Sequence, residues 1–135
     1  MHRILSAAAA FAIAATAAQA MTNPAVTVSD QSVSSGTVTA DKITAETNGW
    51  LVVHRTDAEM KPGPVVGYAP LKAGENTDVA AILQEEVRPG DMLMLMVHGE
   101  AGGSRTGVFE YTLGAREDGP VRVDGELVMT VITAR

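Results

Sequence analysis

The chain has 135 residues, ten Lys or Arg against sixteen Asp or Glu, no cysteine and only five aromatic residues. Without cysteine there is no disulfide, thiol catalysis, thiolate zinc site, iron–sulfur cluster or lipid anchor on a mature N-terminal Cys. The acidic balance and the lack of any basic cluster argue against nucleic acid or an anionic lipid surface as partner.

The first twenty residues, MHRILSAAAAFAIAATAAQA, have the form of a cleaved export signal. Arg3 gives a basic start, Ile4 to Ala17 is an apolar run, and Ala18-Gln19-Ala20 supplies small residues for cleavage. The run falls short of the ~20 apolar residues that span a bilayer, and nothing later in the chain is apolar enough. The expectation is a signal peptide over 1–20 and one periplasmic or secreted domain over 21–135. That domain keeps nine basic residues and all sixteen acids, and 115 residues suffice for one core held by packing alone.

Period-two alternation recurs along the mature chain, and helical periodicity is almost absent. A strand is expected at 25–29. Another, at 37–45, changes phase at Asp41-Lys42, which suggests a β-bulge. Residues 49–55 alternate Trp50, Val52 and His54 with Leu51, Val53 and Arg55. Pro62, Gly63 and Pro64 precede a short strand at 65–68, expected to be peripheral. A turn at 73–76 leads to a strand at 78–83, and Arg88-Pro89-Gly90-Asp91 leads to the methionine strand ending at His98. Gly99 to Gly107 reads as a loop, 108–113 as a strand, and Asp124-Gly125 as the tip of a hairpin. Residues 127–133 form the last strand. Seven or eight short strands at this spacing predict an all-β fold, best drawn as an immunoglobulin-like Greek-key β-sandwich, with a small closed barrel as the alternative.

The segments SDQ (29–31), GWLVVH (49–54), VVGYAPLKAGENTDV (65–79), LMLMVHGE (93–100), GVFEY (107–111) and DGPV (118–121) occur in an order that resembles domain-of-unknown-function family 7282, of secreted and cell-surface proteins. The resemblance spans nearly all of the mature chain. It implies an extracytoplasmic β-sandwich with no established activity. Its motif positions are Gln31, Gly49, Trp50, His54, Gly67, Gly74, His98, Glu100, Glu110, Asp118 and Pro120. Where the family often has His-x-Asp, this chain has His98-Gly99-Glu100, a carboxylate one methylene longer.

Met92, Met94, Met96 and His98 share one face of their strand and are the candidate metal ligands. Thioethers and imidazole suit Cu(I), although a blue-copper centre is excluded because it needs a cysteinate. Against a site, methionine is also an ordinary apolar filler. Same-face neighbours on one strand stand about 6.6 Å apart, too far to grip one ion. Antiparallel pairing of the Trp50 and methionine strands sends His54 and His98 to opposite ends, so they are not expected to share a metal. Leu93, Leu95 and Val97 make the other face apolar too. One face must therefore either meet a partner, a second copy or an envelope protein, or lie under loops or the chain ends.

His98 with Glu100, Glu110 or Asp118 has the residue types for acid–base catalysis. No nucleophile elbow surrounds Ser104, and the glycines after His98 lack the helix and lysine of a phosphate loop. Asp118, Asp124 and Glu126 lack calcium-loop spacing. Trp50 is read as a core anchor rather than a sugar platform. The sequence thus favours a non-catalytic exported module with an interaction or structural role in the cell envelope and no cofactor. A periplasmic Cu(I) carrier is the alternative, and a hydrolytic enzyme comes third.

Overall fold

A computed structural model describes residues 12, 23–113 and 115–135. The expected signal peptide, apart from Ala12, lies outside the described residues. All regular structure among them is β: β1 (Ala25–Thr27), β2 (Thr37–Ala45), β3 (Gly49–Thr56), β4 (Val65–Leu71), β5 (Gly74–Leu83), β6 (Met92–Gly99), β7 (Arg122–Val123), β8 (Glu126–Leu127) and β9 (Met129–Thr133). Within that set no helix is long and apolar enough to cross a membrane.

Seven strands form one sheet in the order β1-β2-β5-β4-β3-β6-β9, every neighbouring pair antiparallel. β3, β4 and β5 follow one another as hairpins, and β6 returns beside β3. That gives the 4-1-2-3 arrangement of a Greek key. The sheet curls until its ends meet. Gln31 bridges Ala134 in parallel, and the Thr130 hydroxyl donates to the Val26 carbonyl at 2.6 Å. Near-closure hides the edges that an open sheet exposes. The concave side holds the main core, with Val38, Ile43, Leu51, Val53, Val66, Leu93, Leu95 and Val97 all at most 2 % exposed. The all-β expectation therefore holds, in a form between sandwich and barrel.

Local details depart from the sequence reading in physically instructive ways. At Asp41 the burial phase changes, but β2 and β5 keep a constant register on either side. The irregularity sits on both strands at once: the Asp41–Asp78 level is absent from the ladder, and Asp78 has φ 50°. No residue is inserted. β4 is not peripheral, because it pairs with β3 on one side and β5 on the other. Its ladder with β5 covers only Gly67 and Tyr68, so Pro70 stands beyond the place where its missing N–H would be needed. β5 takes in residues read as a turn, since Asn76 bonds back to the Lys72 backbone with both amide atoms. Residues 108–113 form no strand. The Asp124-Gly125 hairpin is as expected, with φ 51° and 81° at its tip, the left-handed pair that a type I′ turn requires.

Candidate functional site

The convex side of β3 and β6 carries a second apolar layer. Register pairs Trp50 with His98, Val52 with Met96 and His54 with Met94, so these six side chains share one face. Tyr68 stands opposite Val52 on β4, and Met129 and Val131 stand opposite Met96 and Met94 on β9. The chain after β6 folds back over this layer. Phe109 lies 4.4 Å from Tyr68 and 5.5 Å from Trp50, centroid to centroid. Tyr111 stands edge-on to His98 at 4.5 Å and to His54 at 5.9 Å. Met94 and Met96 are thus as completely buried as Leu93 and Leu95. The open question about the two faces resolves in favour of a covering loop. The alternation at 108–113 that resembles a strand serves to aim Phe109 and Tyr111 at the sheet.

Carboxylates hold that loop down. Asp118, 1 % exposed, accepts from the Ala101 amide at 3.1 Å and the Glu110 amide at 2.8 Å. Glu110 accepts from the amides of Ser104 and Arg105, both at 2.8 Å, and from the Ser104 hydroxyl. Glu100 accepts from the Trp50 indole N–H at 2.8 Å. Such bonds to ionised acceptors are stronger than neutral ones. The three carboxylates considered for acid–base work are therefore engaged in organising backbone and tryptophan.

Beneath the loop lie His54 and His98, both fully buried. Their Cα levels on the ladder differ by four residues, as antiparallel pairing dictates. Their rings nevertheless meet, with Nε2 to Nε2 at 3.2 Å. This corrects the expectation that strand pairing keeps them apart. Each ring leans toward the middle Val52–Met96 level from its own end of the face. A β-bulge at Val66, opposite Val53 and His54, lies beside His54, and bulges commonly re-aim nearby side chains.

Both outer ring nitrogens face carbonyl oxygens. His54 Nδ1 is 2.8 Å from the Gly63 carbonyl, and His98 Nδ1 is 2.7 Å from the Asp118 carbonyl. A carbonyl only accepts, so each Nδ1 carries the hydrogen. A neutral imidazole has no second one. Burial lowers the pKa of both rings. For His98 it reaches about 4, with the Asp118 carbonyl opposing and the neighbouring His54 adding to the fall; for His54 the Gly63 carbonyl opposes. At neutral pH two bare Nε2 lone pairs therefore confront each other.

The other motif residues build the frame. A Cβ on Gly49 would collide with the His98 carbonyl, so glycine there lets β3 and β6 close beside the histidine. Pro120 bridges His98. Gln31 clamps Thr39 through both its amide N–H and carbonyl, at 2.8 and 2.9 Å. Gly67 stands opposite Val53 on β3, next to the Val66 bulge, and Gly74 stands opposite Ala45 on β2. Met92, the outermost of the proposed ligands, is only half-buried and stands at the Thr56 level. No cluster of three or more His, Asp or Glu suited to a metal occurs among the described residues. Sequence reasoning identified both histidines but missed their meeting, as well as the role of Tyr111; alternation of Phe109 and Tyr111 was the available signal.

Neither a curated protein nor a solved structure matches the chain. A family model described as Domain of unknown function (DUF7282) matches residues 24–135, the stretch that contains all nine described strands and the loop between β6 and β7. The chain belongs to this DUF7282 family.

Proposed function

We propose that this protein is an exported, non-catalytic module that acts by binding or by structural support at the cell envelope. One observation carries the non-catalytic part. Glu100, Glu110 and Asp118, the carboxylates with the residue types for acid–base work, already serve as acceptors for loop amides or Trp50, and both imidazoles are sealed from solvent. General acid–base catalysis needs a group within reach of a substrate proton, and these groups are committed elsewhere. Near-closure of the sheet supports a rigid, self-contained body rather than a strand donor or acceptor. The basic start, apolar run and A-Q-A ending of residues 1–20 support export.

Two measurements test this reading. Purified protein is assayed against ester, phosphoester, glycoside and peptide substrates. The expected result is no turnover above background. Turnover abolished by Glu110→Gln or His98→Asn would establish an enzyme instead. Cell fractionation with N-terminal sequencing should place a product starting at Met21 outside the cytoplasm, whereas an intact leader on the accumulated protein would refute export.

A further inference from the structure

We propose that His54 Nε2 and His98 Nε2 together bind a single Cu(I) ion, with the Met96 thioether as the third donor. The spacing of the two Nε2 atoms suits two ligands of one ion. Two metal–nitrogen bonds of about 2.0 Å span about 3.3 Å at a tetrahedral angle and about 3.5 Å at the trigonal angle of a three-donor site, and the Nε2 atoms stand close to that span at 3.2 Å. Metal-binding histidines characteristically donate the opposite ring N–H to a carbonyl or carboxylate, which fixes tautomer and orientation. Both rings do so here, onto Gly63 and Asp118. As a hydrogen bond the 3.2 Å contact is one proton short, because both hydrogens are spent on the carbonyls.

The surroundings select the ion. Met96 stands opposite Val52, at the ladder level midway between those of His54 and His98, and is 1 % exposed. Its side chain therefore stands on the face, and at the level, toward which the two rings lean. Imidazole with thioether, and among the described residues no cluster that brings a carboxylate to the pair, is a soft donor set matched to Cu(I) rather than to calcium, magnesium or manganese. A monovalent ion also adds only one charge to a dry site, which matters because buried charge is costly. The Asp118 carboxylate faces the Ala101 and Glu110 amides, so it remains a loop staple while its carbonyl orients His98. Copper binding at this pair requires neither export nor a protein partner.

The test is titration of the purified protein with Cu(I) under anaerobic conditions against a chromophoric chelator of known affinity. One equivalent should bind. His54→Asn and His98→Asn each keep a side-chain amide to serve the carbonyl while deleting Nε2, and each should weaken binding at least a hundredfold. Met96→Leu should weaken it about tenfold. Met60→Leu, at an exposed methionine, should leave it unchanged. X-ray absorption of the wild-type complex should show two nitrogen neighbours and one sulfur, a readout that does not depend on any variant folding. Absence of stoichiometric binding, or binding indifferent to both Asn substitutions, overturns the site. A metal shell without sulfur overturns the assignment of Met96.

Discussion

At the scale of single residues, Met94 and His98 show how similar burial sets different requirements. Met94 is fully buried opposite His54 and outside the proposed ligand set. Leucine there nearly conserves volume and should cost under ~1.5 kcal/mol. Alanine removes a buried thioether and leaves a cavity, at a cost of about 2–5 kcal/mol. Urea denaturation of the two variants checks both figures. His98 makes stability depend on pH. Its folded pKa is lowered to about 4 from an unfolded value of about 6.5, so between those values the unfolded chain holds more protons than the folded one. Stability then rises with pH across that window and levels off above it. The contribution is lost as pH falls from about 6.5 toward 4. The urea midpoint followed from pH 7.5 to 4 should fall more steeply in wild type than in His98→Asn. Equal slopes would mean that the buried ring does not resist protonation.

At the scale of elements, the loop between β6 and β7 decides whether the second layer exists. Phe109 and Tyr111 cover it, and Asp118 holds both ends of the covering stretch by accepting from Ala101 and Glu110. Asp118 also has φ 46°, a conformation that asparagine tolerates. Asp118→Asn therefore adds no backbone strain but turns one acceptor into a donor aimed at an amide N–H. A cost of about 1.5–3 kcal/mol is expected for a hydrogen bond to a charged group. Hydrogen exchange should show the Ala101 and Glu110 amides opening faster, with the β3–β6 ladder less affected. Uniform acceleration across the sheet would instead make the loop inseparable from the main core. The same element marks the limit of reading from sequence. Alternation at 108–113 reports only that side chains point to two sides, and it cannot distinguish a paired strand from an extended cover tied by carboxylates. Asp124-Gly125 was legible because its turn chemistry is local.

Over the whole molecule, strand alternation and turn spacing made the all-β class legible, while closure was not, since it depends on contacts between residues about a hundred apart such as Gln31 with Ala134 and Val26 with Thr130. The histidine pair escaped for a related reason. Antiparallel register correctly separates His54 from His98 by four levels, and nothing in either strand's sequence shows that the rings lean toward one another beneath Tyr111. What the completed architecture produces is a buried pair of imidazoles with their hydrogens committed outward and their lone pairs turned inward, and those protonation states are directly measurable. Long-range proton–nitrogen NMR correlation on ¹⁵N-labelled, metal-free protein at neutral pH reads the protonation of each ring nitrogen. Both Nδ1 atoms should resonate as protonated and both Nε2 atoms as unprotonated; a hydrogen on either Nε2 would contradict the account.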